Sequence, residues 1–266
     1  MSKISTTARR FAPLREGHGQ ESDLPKLQGI IFDVDGTLCK PQNYMFREMR
    51  SALSIPPGGD ILEHVYSLPT APQREAAMST IRGIERRGMA AQEPQPGLGE
   101  LMAYLDARGV RKGICTRNFA QPVAHLLGAF LADSVFDPVV TRDFRPPKPD
   151  PAGLLFIARS WGLVGAAAED GGGGGVHVVN GQHHGSDDRG LAGNASHLIM
   201  VGDSIDDMTA GRKAGAATVL LANDANRELA EHEHTDLVIE RLDELIDVLD
   251  KGFVGREVPA AVTECR

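Results

Sequence analysis

Residues 27–34 (LQGIIFDV) are a short apolar run that ends in acid and then Gly36. Such a run predicts a buried strand delivering residues to a turn. Residues 40–96 follow a different pattern. Apolar, Met and Arg positions recur at helical spacing, broken at Pro56-Pro57, Pro69 and Pro72 and ended by Pro94 and Pro96. That predicts about three helices and no strong strand. Beyond Pro96 the two patterns alternate. Helices are predicted over 98–108, 120–132, 151–161 and 206–214, with Gly109, Gly162 and Gly215 as stops for three of them. Strands are predicted over 110–116, 135–141, 198–202, 218–222 and 237–240. Alternation of this kind implies an α/β fold, a parallel sheet covered on both faces by helices, with functional residues at the C-terminal ends of its strands.

Three stretches stand outside this order. Residues 1–25 and 252–266 read as disordered tails. Residues 166–196, with five consecutive glycines at 171–175 and many polar positions, read as a disordered insertion whose composition cannot offset its ordering entropy. His177, His183, His184 and His197 lie in or beside it without fixed ligand spacing, so they read as loop residues rather than a metal site. The remaining chain divides into an α/β core, 26–39 with 97–251, and a helical unit, 40–96, inserted into it.

Charge and composition narrow the function. The 266 residues carry 28 Lys and Arg against 36 Asp and Glu, a net charge of −8. This disfavours a general nucleic-acid binder. No apolar run is long enough to cross a membrane. Three scattered cysteines, Cys39, Cys115 and Cys265, fit neither a disulfide scaffold nor a Cys-rich zinc site, and favour a reducing, cytoplasmic setting. Arg9, Arg10 and Arg15 near the N-terminus leave a mitochondrial presequence open beside the reading as a tail.

The chemistry concentrates at predicted strand ends. Asp33-Val34-Asp35-Gly36-Thr37 closes the first strand, and strand alternation points residues 33 and 35 to one side. Two neighbouring carboxylates are electrostatically costly unless a cation or proton lies between them. Gly202-Asp203-Ser204-Ile205-Asp206-Asp207 closes another strand and opens a helix, placing Asp207 about one turn after Asp203. One of Asp206 and Asp207 is accounted for by the helix dipole alone. Together Asp33, Asp35, Asp203 and Asp207 offer four carboxylates and no His or Cys, a hard-cation donor set suited to Mg²⁺ rather than zinc. Thr116 ends the strand GICT, where a helix-capping role competes with a functional one. Lys148 sits in a proline-stiffened Pro146-Pro147-Lys148-Pro149 loop.

The ordered series D-x-D-G-T, strand ending in Thr, Lys before Pro, and G-D-x-x-x-D resembles the haloacid dehalogenase-like (HAD) hydrolase superfamily across residues 28–250. The longer strings DVDGTLC, MFREMR, ICTRN, VTRDFRPPKPDP and MVGDSIDDM look like a group of fungal HAD-like hydrolases. The resemblance implies a Rossmann-like core with a small helical cap (C1 type) over 40–96. It implies Asp33 as the nucleophile forming an aspartyl-phosphate, and Asp35 as acid, then base. Mg²⁺ would be held by Asp33, the Asp35 carbonyl and Asp203, with Asp207 behind them. Thr116 would bond the phosphoryl oxygens, and Lys148 would offset the negative charge. Dehalogenase members lack an acid at the position of Asp35, so its presence favours phosphate esters.

Arg117 and Asn118 follow Thr116 and are candidates for the pocket wall. On the inserted unit Tyr44, Arg47 and Arg50 are substrate-contact candidates whose solvated reading is at least as good, while Met45 and Met49 read as core. Cys115 reads as packing and Cys39 as an unactivated thiol. The expected activity is Mg²⁺-dependent hydrolysis of a small phosphorylated metabolite, with no nucleic-acid or membrane partner and the oligomeric state left open. A sugar phosphomutase of the β-phosphoglucomutase type and a non-catalytic phospholigand binder are the alternatives.

Overall fold

A computed structural model describes residues 8–15, 23–166, 177–179, 182–184 and 191–256. In chain order, β1 (Gly29–Phe32) is followed by α1 (Asn43–Ala52), α2 (Ile61–Ser67) and α3 (Ala71–Ala90). Next come α4 (Leu98–Ala107), β2 (Arg111–Cys115), α5 (Ala120–Phe130), β3 (Val139–Val140) and α6 (Ala152–Ser160). Four short strands, β4 (Val164–Ala166), β5 (His177–Val179), β6 (Gln182–His184) and β7 (Leu191–Gly193), precede β8 (Leu198–Gly202). The chain closes with α7 (Ile205–Ala214), β9 (Ala217–Leu221), a 3-10 turn at Arg227–Glu231, β10 (Leu237–Ile239) and α8 (Glu244–Lys251).

Six strands form one sheet in the order β10-β9-β8-β1-β2-β3, and every pair in it is parallel. β1 is central, with Phe32 level with Ile114 on β2 and Val201 on β8. Its side chains divide between two cores. Ile30 and Phe32 pack with residues of α4, α5 and α8, whereas Ile31 packs with residues of α6 and α7. Burial on both faces is why β1 and β8 are continuously apolar instead of alternating. Because β1 and β8 are adjacent and parallel, the next residues, Asp33 and Asp203, emerge together at the C-terminal edge of the sheet.

α1, α2 and α3 enclose a separate small core of Met49, Val65, Ala77, Ile81 and Ile84, with Met45 packed against it. The chain enters and leaves this helical unit side by side. Lys40 N donates to Glu93 O (2.9 Å), Gln95 N donates to Leu38 O (3.1 Å), and Lys40 pairs with Glu93 at 2.6 Å.

Two readings made from the sequence need correction. Part of the expected N-terminal tail belongs to the domain. Phe11 is 2% exposed and meets Phe253 with ring centroids 5.7 Å apart. Phe11 N donates to Phe253 O (3.0 Å), Leu14 N to Leu249 O (2.8 Å), and Gly255 N to Arg9 O (2.8 Å). Arg9 donates to Gly215 O and lies 4.0 Å from Asp236, a buried acid also held by Arg212 at 2.6 Å and by Thr218 N at 2.9 Å. Residues 8–15 and 252–256 are thus apposed segments closing one end of the larger core, and the remainder of both expected tails lies outside the described residues. Phe11→Ala is expected to lower unfolding stability in urea by about 3–5 kcal/mol, the cost of a large buried aromatic. A loss below about 1 kcal/mol would show that this segment is not packed on the core.

The second correction concerns 166–196. β4 pairs antiparallel with β7, and β5 with β6. The structureless reading does not extend to these residues, and the glycine run lies outside the described residues.

Candidate active site

The C-terminal ends of β1 and β8 bring the acids together, and that of β2 carries Thr116. Asp33 N donates to Val201 O (3.0 Å), which extends the pairing of β1 with β8 by one residue and sets the carboxyl at the sheet edge. Lys148 reaches it from the loop after β3. Its Nζ donates to Asp33 Oδ1 at 2.8 Å and to Asp207 Oδ1 at 2.5 Å, and all three residues are buried. Asp207 is fixed from its other oxygen. Ser204 caps α7, and its N–H (3.0 Å) and hydroxyl (2.5 Å) both donate to Asp207 Oδ2.

Asp203 stands beside this cluster. Asn226, in the turn after β9, donates through Nδ2 to Asp203 O (2.7 Å) and Leu221 O (3.1 Å), pinning the backbone there. Carboxylate oxygens of Asp33, Asp203 and Asp207 lie within 4.8 Å of one another. Gly36, at φ +82°, makes the turn that permits this. A Cβ at residue 36 would lie 2.0 Å from Asp203 Oδ2, so the position excludes side chains both by backbone conformation and by space.

Charge is unbalanced in this cluster. Burial and the neighbouring Asp207 push the Asp33 carboxyl up to about 6 against the pull of Lys148. Burial, with Asp207 and Asp33 adding to it, pushes Asp203 up to about 8. Burial alone would lower Lys148, but Asp207 and Asp33 outweigh it and hold the ammonium charged. Three carboxylates against one ammonium leave room for a further cation, and an all-oxygen donor set of this kind suits a hard divalent ion.

Asp35 is treated differently. Its side chain stands apart from the three-acid cluster. Oδ2 accepts from Asn118 Nδ2 at 2.8 Å, and Oδ1 faces the Cys39 thiol at 3.7 Å. Burial raises its pKa, while the bonds from Cys39 and Asn118 oppose the rise. Thr116 is buried at the end of β2, and its hydroxyl accepts from Asn118 N at 3.1 Å, which closes the turn presenting Asn118. The arrangement therefore supplies a carboxylate held by an ammonium, a second carboxyl held by an amide, and a cluster with capacity for a cation.

The outer candidates divide. Arg117 is exposed and pairs with Asp206 at 2.6 Å. Arg47 is exposed on α1. Arg50 is committed to the fold of the helical unit, donating through Nε to Gly59 O (3.0 Å). Cys39 carries a thiol raised by burial and by Asp35, so it is not an activated nucleophile. Cys115 is likewise pushed up to about 12 by burial. Sequence reasoning did not find Asn226, which acts on Asp203 from a different loop, or the contact between Cys39 and Asp35.

A model of the haloacid dehalogenase-like hydrolase family matches residues 27–215, which contain every acid of the cluster. The chain belongs to the haloacid dehalogenase-like hydrolase family. An uncharacterized hydrolase of Saccharomyces cerevisiae is 37% identical over 231 residues, 85% of this chain and 92% of the yeast protein. A phosphoglycolate phosphatase of Caulobacter vibrioides is 25% identical, covering 82% of this chain and 90% of its own. Among solved structures, a predicted phosphoglycolate phosphatase from Haemophilus somnus shares the fold at a TM-score of 0.60 and 18% identity, over 84% of this chain and 97% of that one. This HAD-like hydrolase thus carries its acids on a six-stranded parallel sheet of the family's architecture, and among the described residues no helix is long and apolar enough to cross a membrane.

Proposed function

We propose that the chain is a phosphatase that hydrolyses a small phosphate ester through an aspartyl-phosphate on Asp33. The observation that carries the proposal is the buried Lys148 bridging Asp33 and Asp207 beside Asp203, with a separate acid, Asp35, held by Asn118. An anionic nucleophile meeting an anionic phosphate needs positive charge on both. Lys148 supplies part of it.

Asp33, Asp203 and Asp207 are the residues that would hold Mg²⁺, with the Asp35 carbonyl from the same loop. When bound, the ion neutralises phosphoryl charge and the excess carboxylate charge of the cluster. The carboxylate of Asp33 attacks phosphorus as the bond to the leaving alcohol breaks, and the Asp35 carboxylic acid passes its proton to that oxygen. Asp35, now a carboxylate, takes a proton from water, which attacks phosphorus and breaks its bond to Asp33, releasing phosphate. Asn118 fixes the direction of the Asp35 carboxyl in both half-reactions, and Thr116 offers a hydroxyl to the phosphoryl oxygens. The α1–α3 unit serves as the cap over a small substrate and limits access of bulk water. The kinship with the Caulobacter phosphoglycolate phosphatase supports a small phosphorylated substrate.

Phosphate release from a panel of small esters, with Mg²⁺ and with EDTA, tests this reading. Release is expected with Mg²⁺ and to fall to background in EDTA. Turnover undiminished by EDTA would overturn the metal assignment, and phosphate transfer to a sugar phosphate instead of water would indicate a mutase. Stability offers an independent check. Asp33 and Asp203 bind protons more tightly in the folded protein than in the unfolded chain. The metal-free protein therefore loses stability as pH rises through about 6 and then about 8. Mg²⁺ replaces those protons, so the Mg²⁺-dependent rise in Tm is expected to be larger at pH 8 than at pH 6. An equal or smaller rise at pH 8 would contradict the cluster as the metal site.

A further inference from the structure

β2 and β8 flank β1, and the loops that follow them are clasped by the ion pair between Arg117 and Asp206. The pair thus joins the segments that follow the two strands on either side of β1, whose end carries Asp33 and Asp35. Its two members differ in setting. The Arg117 side chain is 60% exposed, while that of Asp206 is 24% exposed in the first turn of α7. Asp206 is favoured there by the helix dipole whether or not Arg117 reaches it. An exposed pair of this kind contributes little to stability and is readily exchanged. A carboxylate or phosphate on a ligand can take the guanidinium's planar donors bidentately.

The transferred phosphoryl group is already served by Lys148 and Thr116. Arg117 follows Thr116 directly in the turn after β2, but Thr116 is buried whereas the Arg117 side chain is exposed. The guanidinium is therefore placed at the rim, away from the group bonded to Asp33. The acid cluster repels any second negative charge on a substrate, and Arg117, an exposed cation on the loop after the neighbouring strand, can offset that repulsion.

We propose that Arg117 recognises a second anionic group on the substrate, and that Asp206 holds its guanidinium across the site until that group displaces it. The substrate class is then a small phosphate ester bearing a carboxylate or second phosphate, an inference that rests on the phosphate-ester reading of the same site. The residue acts on specificity, not on the bond that breaks.

Matched esters test it: 2-phosphoglycolate against ethyl phosphate, and 2-phospholactate against isopropyl phosphate, each pair differing in a carboxylate. Two readouts are needed, kcat/KM of the protein with Mg²⁺, and calorimetric affinity of the Asp33→Asn protein with Mg²⁺. The carboxylate-bearing member is expected to be preferred in both. Arg117→Ala is expected to reduce the preference ratio about tenfold or more, the scale of a lost charge-assisted hydrogen bond. Asp206→Asn, which frees the guanidinium, is expected to raise the ratio through a lower KM and Kd.

Equal binding of the paired esters would overturn the proposal. So would an Arg117→Ala protein that loses both members equally, the result for a purely structural clasp. A binding preference that follows Arg117, with no phosphate released from any ester, would sustain this inference while overturning the phosphatase reading.

Discussion

Asp33→Asn is expected to reduce phosphate release below about one-hundredth of the wild-type rate while leaving the protein folded. An amide cannot form the acyl phosphate, so the route through Asp33 is closed and not merely slowed. The fold should tolerate the change for a local reason. Lys148 loses one of two carboxylate partners but keeps Asp207, and the neighbouring Asp203 is relieved of a like charge. Circular dichroism and a thermal melt establish folding, and a fixed-time phosphate assay establishes rate. A folded variant with more than about one-hundredth of the activity would remove Asp33 from the nucleophile's role.

Lys148→Ala is expected to damage both stability and rate. The ammonium is buried and faces two carboxylates, so its removal leaves uncompensated charge in a region of low dielectric. Breaking a buried pair in this way costs about 3–5 kcal/mol. In metal-free protein the loss should deepen as pH rises, because Asp33 and Asp203 then lose the protons that offset their burial. Turnover should fall about 10²–10³-fold even with saturating Mg²⁺, the scale of removing one preorganised electrostatic partner. Urea unfolding in EDTA across pH, with initial rates in Mg²⁺, separates the two effects. An unchanged unfolding midpoint would mean that the three acids are not held together by this lysine.

Much of this arrangement was legible in the chain because the sheet is buried on both faces. Apolar runs such as GIIF and LIMVG mark where strands end, and the acids follow within a residue or two. Thr116 and Asn118 were legible for the same reason, as the residues after RKGIC. What could not be read were contacts between loops. Nothing in the local pattern joins Asn226 to the Asp203 carbonyl, or turns Asp35 toward Asn118 and Cys39 and away from the other acids. The N-terminal segment was misread for a related reason. Residues 8–15 are too short and aperiodic to signal an element, yet Phe11 and Arg9 find partners at Phe253 and Asp236 at the far end of the chain. Arg50 shows the converse, a cation in a promising position whose hydrogen bond is spent on the Gly59 carbonyl.

The antiparallel backbone pairing of Leu38–Lys40 with Glu93–Gln95 makes residues 41–92, from the sheet's point of view, the tip of one long hairpin. Closing a loop costs only about 0.6 kcal/mol more for each doubling of its length. The core therefore has little stake in what the hairpin contains. Over evolutionary time such a module can be enlarged, shortened or exchanged while the residues at the end of β1 stay where they are. New substrates can then be explored through one stretch of sequence without relearning the chemistry encoded in another.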